Sequence, residues 1–201
     1  PLPPIREQRR IAAVLDAADA LRVKRRQALA KFDTLTQSIF IGMFADSLHC
    51  RQRPLGEFFA EKAIFGTMEP GMSSGSWLDL RVANIQNGRL DLSDRKFVEL
   101  RGQDRGRYAV RDGDLLLARA IATIDHLGKC IVAHPESDAW AFDSHLMRIR
   151  LHEERMVPEF LAAWLASRTG RRAFLRVARR SSVQFNVNTK EMSRLPVPAV
   201  D

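Results

Sequence analysis

Apolar residues recur at alternating intervals of three and four along the first quarter of the chain. Residues 6–45 contain no proline, and no glycine before Gly42. This spacing places apolar side chains on one stripe of an α-helix and is typical of a coiled-coil seam. At 1.5 Å per residue the helix would be about 60 Å long, so it should project from a small domain and need another helix to cover its seam. The predicted helix-pairing residues are Val14, Ala18, Leu21, Phe32, Leu35 and Ile39.

A different pattern follows the helix, where short apolar runs alternate with turn residues. Such runs predict β-strands, and the dipeptide Asn87-Gly88 between two of them is a strong hairpin signal. Pro158 marks the start of a predicted helix that Gly170 interrupts and that continues to Arg180. The strands are predicted at residues 55–60, 78–85, 89–92, 96–100, 115–118, 128–133 and 140–151.

The change of pattern divides the chain into two parts. Together they predict an α+β fold, in which a long N-terminal coiled-coil helix over residues 1–46 precedes a mixed α/β domain over residues 47–198. Similar proline-rich segments at residues 1–4 and 195–198 suggest one unit of a tandem repeat of helix and domain. Because the chain begins with Pro1 rather than methionine, we expect it to be a fragment or a processed product of a longer protein.

The charge balance favours a polyanionic partner. The chain carries 32 basic and 24 acidic side chains, for a net charge of +8, and only six of the basic residues are lysines. A GC-rich genome would also raise the arginine content, so the total alone decides little. The distribution favours nucleic acid, because residues 160–190 contain six arginines and one lysine but no acid. A solvated charged face normally mixes the two signs.

Several other classes of protein lack support in the sequence. No stretch approaches the roughly 20 apolar residues of a membrane span and no leader opens the chain, so we expect a cytoplasmic protein without a membrane partner. Cys50 and Cys130 stand without a CxxC or Cys/His cluster, which predicts neither a disulfide framework nor a metal site. No glycine-rich nucleotide-binding motif is present, so no bound cofactor is predicted.

Catalytic constellations are weak. Asp143, Ser144 and His145 are the residue types of a hydrolase triad, but neighbours on a strand point to opposite faces and cannot form one relay. His145 is therefore interpreted as a structural hydrogen-bonding residue. Asp94 and Lys96 have the spacing of some nuclease sites, yet no second metal-binding acid is evident nearby. No catalytic residue is predicted.

Polar residues outside regular structure are better suited to binding. Residues 66–76, 119–129 and 179–188 concentrate Gly, Ser, Asn, Gln and Arg, and such segments usually present binding groups on a rigid scaffold. Arginine contacts phosphate or guanine, whereas Gln and Asn pair bidentately with adenine. Serine and asparagine are equally common as turn and cap residues. The candidate DNA-binding residues are Thr67, Ser73, Ser74, Ser76, Arg81, Asn84, Arg119, Thr123, His126, Lys129, Arg179, Arg180, Ser181, Ser182, Gln184 and Asn186.

Five motifs follow one another over nearly the whole chain. They are PLPPIREQRRIAAVLDAADALRVKRR at residues 1–26, RVANIQNGRLDLSD at 81–94, GDLLLARA with IDHLGK at 113–129, FDSHLMRIR at 142–150 and SSVQFNVNTKEMSRLPVP at 181–198. Each motif alone is modest. In this order they resemble the specificity subunit of type I restriction-modification systems, usually called HsdS.

The resemblance implies a division of labour. A full specificity subunit carries two α/β target-recognition domains, each reading one half of a bipartite DNA sequence, and two long helices that pack as an antiparallel coiled coil and dock methyltransferase subunits. This chain holds one such helix and one such domain. The implied partners are double-stranded DNA, the modification and restriction subunits, and a second recognition half or a second copy joined through the long helix. S-adenosylmethionine and ATP would be bound only by the partner subunits.

Three functions remain open from the sequence. A DNA sequence-reading subunit is the preferred hypothesis, a basic RNA-binding or architectural module is the second, and a nuclease or methyltransferase is the third. Strong discrimination between duplex sequences at fixed salt would select the first, whereas affinity that only falls steeply with salt fits both binding functions. Turnover by the isolated chain would be needed for the third.

Overall fold

The first part of the chain is one long helix. The computed structural model describes residues 2–48, 51–181 and 183–199, and it divides into two compact units, Pro1–Leu48 and His49–Asp201. Helix α1 spans Ile5–Leu48, which confirms the long N-terminal helix predicted from the sequence. The helix begins where the Pro4 carbonyl accepts hydrogen bonds from the amides of Glu7 and Gln8 at 2.9 and 3.0 Å.

Helix α1 leaves its predicted seam open within its own unit. Val14, Leu21 and Phe32 are 62%, 67% and 64% exposed, and Leu35 and Ile39 are also more than half exposed. Apolar area of this kind favours burial by roughly 25 cal/mol per Å², so the stripe is suited to pairing. No helix in the described part of the chain combines the length and the apolar character that a bilayer crossing needs.

The second unit is a mixed domain of short strands and helices, as predicted. Its strands are β1 (Gln52–Pro54), β2 (Phe59–Phe65), β3 (Trp77–Leu80), β4 (Ile85–Gln86), β5 (Arg89–Leu90), β6 (Lys96–Val98), β7 (Leu115–Ala118), β8 (Ala120–Ile121), β9 (Cys130–Val132), β10 (Trp140–Phe142), β11 (Leu146–Leu151), β12 (Arg179–Arg180), β13 (Phe185–Asn186) and β14 (Pro196–Pro198). Its helices are α2 (Gln103–Tyr108), α3 (Pro158–Ala166), α4 (Arg168–Val177) and α5 (Thr189–Ser193).

Two sheets carry the core of the domain. One is antiparallel with the order β2-β11-β7-β9, and the other has the order β10-β3-β6, in which β10 and β3 run parallel. Strand β7 is buried along its whole length, because all four of its residues are apolar and face neighbours on both sides. Leu116, Phe142 and Leu146 are fully buried and belong to one cluster that joins the two sheets.

A buried ion pair ties β11 to the turn before β7. Arg150 donates to both carboxylate oxygens of Asp114, at 2.6 and 2.8 Å, and Asp114 has no exposed surface. Its neighbour Arg148 donates to the carbonyls of Arg107 and Ala109, and burial lowers the pKa of Arg148 to about 10. Losing either partner would leave a buried charge without compensation, so these arginines stabilise the domain.

Local signals placed several elements correctly. Asn87 and Gly88 have φ of 52° and 70° between β4 and β5, which is the left-handed geometry of the predicted hairpin turn. Residues 66–76 form the predicted loop, held by the isolated bridges Thr67–Asp143 and Met72–Phe97.

Other predicted boundaries are wrong. Leu55–Phe58 forms a 3₁₀ turn, and the strand begins only at Phe59. Gly170 lies inside α4 rather than interrupting a helix, and the break comes at Ser167, whose hydroxyl accepts a hydrogen bond from the Gly170 amide. Arg179 and Arg180 form strand β12 instead of continuing the helix, because Phe185–Asn186 pairs with them.

We predict that Gly66→Ala strongly destabilises the domain. A Cβ at this position would lie 2.0 Å from the Phe142 carbonyl oxygen and 2.3 Å from that of Asp143, both main-chain atoms that cannot rotate away. The expected loss is at least about 2 kcal/mol of unfolding free energy, measured by urea denaturation. Gly106→Ala is the control, because a Cβ there meets nothing within 4 Å and alanine favours helix α2. Equal stability of the two variants would contradict the prediction.

Candidate nucleic-acid interface

The turn between β10 and β11 is organised by one carboxylate. Asp143 accepts hydrogen bonds from the main-chain amide of His145 at 3.0 Å and contacts its ring Nδ1 at 3.1 Å. Residues 143–145 therefore form a turn, and the expectation that they alternate along one strand is wrong. The turn brings Asp143 and His145 together, while the Ser144 carbonyl accepts from the Arg119 guanidinium at 3.1 Å.

Arg119 anchors the predicted binding segment 119–129 to this turn. Its amide donates to the His145 carbonyl at 2.8 Å, and its guanidinium lies 4.1 Å from the centre of the Phe65 ring. Burial lowers the pKa of Arg119, an effect that the nearby Asp143 opposes. The guanidinium is therefore engaged within the domain, while residues 122–126 after it are exposed.

The segments 119–129 and 179–188 are joined in one small sheet. Strand β13 pairs with β8 on one side and with β12 on the other, in the order β12-β13-β8. The Val187 amide also donates to the Arg119 carbonyl at 2.8 Å. Two of the three predicted binding segments are therefore one structural element, and residues 120–121 are a strand where the sequence predicted irregular structure.

A cleft opens beside this sheet and the turn. Its volume is about 330 Å³, and polar groups of different character border it. Its lining residues are Arg81, Val82, Ala83, Ala120, Ile121, Ala122, Asp143, His145 and Gln184. An apolar floor with a few convergent polar groups is the usual form of a specific binding site.

A buried carboxylate lies near the cleft. Asp79 is 2% exposed, and its Oδ1 has no hydrogen-bond partner among the described residues. Burial and, to a smaller extent, the nearby Asp143 raise the pKa of Asp79 to about 7, against the opposing effect of Arg81. Burial also raises the pKa of Asp143, against the effect of His145.

Some predicted binding residues have their side chains engaged inside the domain. Thr67 is 3% exposed and its hydroxyl accepts from the Glu69 amide. Asn84 is also 3% exposed, donates to the Asp91 and Asp94 carbonyls and accepts from the Arg81 amide. Arg81 pairs with Asp94 at 2.9 Å, although it still reaches the cleft wall. In this conformation Thr67 and Asn84 are structural residues.

Other predicted residues are exposed or lie at the cleft. Ser73, Ser74, Thr123, His126 and Arg180 are exposed, and Lys129 and Asn186 are half-buried. Three candidates have local partners: Ser76 bonds to Glu99, Arg179 pairs with Glu191, and the Ser181 hydroxyl donates to the Gln184 carbonyl. Ser182 lies outside the described residues. The cleft itself holds Arg81 and Gln184 from the predicted set.

Sequence reasoning missed two contributors to this surface. His145 lines the cleft with its side chain 55% exposed, although the sequence suggested a purely structural role. Arg171 donates to the Leu127 carbonyl and, at 2.6 Å, to the Ile124 carbonyl, so it positions the loop that carries Thr123. A turn of Asp, Ser and His between two apolar runs was the available signal for the first.

The described residues contain no metal-binding cluster. No group of three or more His, Cys, Asp or Glu side chains among them is arranged to hold a metal ion. Of the two acids near the cleft, Asp79 is buried, and the half-buried Asp143 is engaged by His145 within the turn.

Curated relatives share nearly the whole chain. The chain is 24% identical over 210 residues to the type I restriction enzyme EcoKI specificity subunit of Escherichia coli K12. The alignment covers 96% of this chain and 45% of that protein. It is 20% identical to the StySPI specificity subunit of Salmonella potsdam, over 88% of this chain and 41% of that protein. The chain thus spans about half the length of these relatives, and no family model matches it.

Solved structures show the same fold. A structure from a study of complex assembly and conformational transition in the type I restriction-modification system superposes with a TM-score of 0.58, at 19% identity, over 98% of this chain and 48% of that one. The HsdS subunit from Thermoanaerobacter tengcongensis gives 0.53 at 19% identity, over 99% and 48%.

Both comparisons find the same class of protein. The curated homologues of this chain are type I restriction enzyme specificity subunits, and its fold of a long helix followed by a mixed domain is that of HsdS structures. The resemblance predicted from the five motifs is confirmed. Specificity subunits are the non-catalytic subunits of type I systems, in agreement with the prediction that the chain is not an enzyme.

We predict that Asp79→Asn makes the domain more stable at high pH. The raised folded-state pKa means that the native state binds its proton more tightly than the unfolded chain, so wild-type stability falls as pH rises through about 7. The neutral amide removes this loss. The variant should gain roughly 2–4 kcal/mol over wild type at pH 8 and little at pH 4, measured by urea unfolding. A gain independent of pH would show that the carboxylate is not the cause.

Proposed function

We propose that this chain reads one half of a bipartite DNA sequence, as the recognition part of a type I specificity subunit. The observation that carries the proposal is the cleft in which the turn at Asp143 and the β12-β13-β8 sheet present Gln184, His145 and Arg81 together. These side chains provide an amide, an imidazole and a guanidinium in one place. Base edges in the major groove are distinguished by such combinations of donors and acceptors.

Gln184 and His145 have distinct chemical roles in the proposal. The Gln184 side chain is free to offer both a donor and an acceptor, because its local contacts with Ser181 use main-chain atoms. An ionised Asp143 can only accept, so it holds the proton on Nδ1 of His145 and leaves Nε2 of the neutral ring as an acceptor. Gln184 and His145 together therefore select for bases that present an amino group beside a ring nitrogen, such as adenine.

The exposed loop residues extend the proposed contact. Thr123 and His126 are exposed on the loop whose Ile124 carbonyl accepts a hydrogen bond from Arg171. This contact fixes the position of the loop. Arg180 is exposed and lies 5.6 Å from the Phe185 ring, in the strand next to the cleft. Arginine at this position adds affinity through phosphate, whereas the cleft side chains add sequence preference.

The long helix supplies the proposed assembly function. The open seam of α1 fits a second helix, either from a second copy of this chain or from the other half of a full-length subunit. By analogy with the relatives' place in type I systems, the modification and restriction subunits dock on the assembled helices in the cytoplasm, and they alone bind S-adenosylmethionine and ATP.

Base reading by the cleft predicts a change in the preferred half-site. In binding-site selection from a random duplex pool, with a cognate methyltransferase subunit present, Gln184→Ala and His145→Ala should alter the selected bases. Loss of one bidentate contact corresponds to about 1–3 kcal/mol of discrimination. Gln103→Ala is the control, since Gln103 has the same side chain and is exposed on α2.

The outcomes separate the functions that the sequence left open. An identical half-site for all three variants would remove base reading from the cleft. Equal affinity of wild type for every duplex would favour the architectural module instead.

Pairing through α1 predicts a dimer of the isolated chain. Analytical ultracentrifugation at tens of micromolar should give a two-fold dimer, because Val14, Leu21, Leu35 and Ile39 of the stripe are each more than half exposed. Phe32→Glu with Leu35→Glu should produce monomers, since charged side chains cannot be buried in the seam. Lys24→Glu with Arg26→Glu adds the same residues to the polar face and should leave the dimer intact. A wild-type monomer would refute pairing between two copies of this chain.

A further inference from the structure

Three arginines form a row along helix α4. Arg168, Arg172 and Arg176 are spaced by four residues, which places them on one face of the helix, and all three are exposed. They border an open groove of about 700 Å³ together with Arg171 and Leu175. By the helical rise the row is about 12 Å long.

The row has no acidic partner in the part of the chain that the structure describes. Every ion pair recorded there involves other cations, such as Arg150 with Asp114 and Arg179 with Glu191. Like charges four residues apart destabilise a helix, and this helix carries three of them in succession. The arrangement is therefore unfavourable for the isolated domain and suited to an anionic partner.

Helix α4 is held firmly from its other side. Ser167 caps its first turn, and Phe174 is 1% exposed beneath it. Gly170 fits so closely that a Cβ would lie 1.9 Å from the Trp164 carbonyl oxygen. Arg171 binds the loop that carries Thr123 and His126, which links the helix to the proposed base-reading surface. The row is thus displayed on a fixed support next to that surface.

We propose that Arg168, Arg172 and Arg176 bind consecutive phosphates of one DNA strand beside the half-site. The inference rests on the proposed function, which places the row beside the bound half-site. The attraction between arginine and phosphate does not depend on that function. Arginines one helical turn apart lie about 6 Å from one another, which is far enough for each to contact a different phosphate of a passing strand. Duplex DNA is favoured over an acidic protein surface because α4 is bonded to the reading loop and continues directly into β12.

The test compares two triple variants of the full chain that lose the same charge. One is Arg168→Gln, Arg172→Gln and Arg176→Gln, and the other is Arg51→Gln, Arg89→Gln and Arg101→Gln at exposed sites outside the row. Binding of a fluorescein-labelled 30-base-pair duplex of arbitrary sequence is measured by anisotropy over a range of salt concentrations. Thermal melts confirm that both variants are folded.

The row variant should bind the duplex at least ten-fold more weakly at moderate salt. Its slope of log affinity against log salt should be shallower by about 0.9 for each lost phosphate contact. The control variant should lose much less affinity, and its salt slope should change much less. The half-site selected with the methyltransferase subunit should be the same for the row variant as for wild type.

Two results would overturn the inference. Equal losses in the two variants would mean that net charge, and not the row, determines affinity. Unchanged duplex binding combined with weaker binding of the methyltransferase subunit would assign the row to an acidic protein surface. Failure of the proposed function would give a different result, because the wild-type chain would then select no half-site. The comparison of salt slopes between the two triple variants would still test whether the row binds phosphates.

Discussion

The hydrogen bonds of the Asp143 carboxylate to His145 are the constraint on which the candidate interface depends. They close the turn between β10 and β11, and neighbouring segments then bond to the main chain of that turn. The Thr67 amide reaches the Phe142 carbonyl, and the Arg119 amide reaches that of His145. Through Arg119 the turn also supports strand β8, and hence the small sheet that carries Gln184. Opening this turn would displace Asp143 and His145 from the cleft and remove the main-chain support of Arg119.

Features encoded by nearby residues could be predicted, and features that depend on distant pairing could not. The α1 periodicity and the Asn87-Gly88 turn are local patterns, so the sequence alone located them. Strands β8 and β13 pair with each other although they lie more than sixty residues apart in the sequence. The residues of neither strand indicate which strand it pairs with. Asn84 was assigned to DNA because its residue type does not reveal its partners, the carbonyls of Asp91 and Asp94 beyond the hairpin turn.

The arginines of this domain divide according to what surrounds them. Arg148 and Arg150 lie in or near the core, where carbonyls and Asp114 compensate their charge. Arg168 and Arg172 lie on a surface with no compensating carboxylate among the described residues. A composition count cannot separate these groups, because the side chains are identical. Burial and partners decide which arginines hold the fold and which are left to act on a ligand.

The cleft walls are joined mainly through main-chain atoms, and this has an evolutionary consequence. Amides and carbonyls at Thr67, Arg119 and Val187 make their bonds whatever side chains stand at Gln184 or Thr123. New side chains at the rim can therefore appear one at a time without loss of the framework. A domain built in this way can change the chemistry of its exposed surface while keeping its fold.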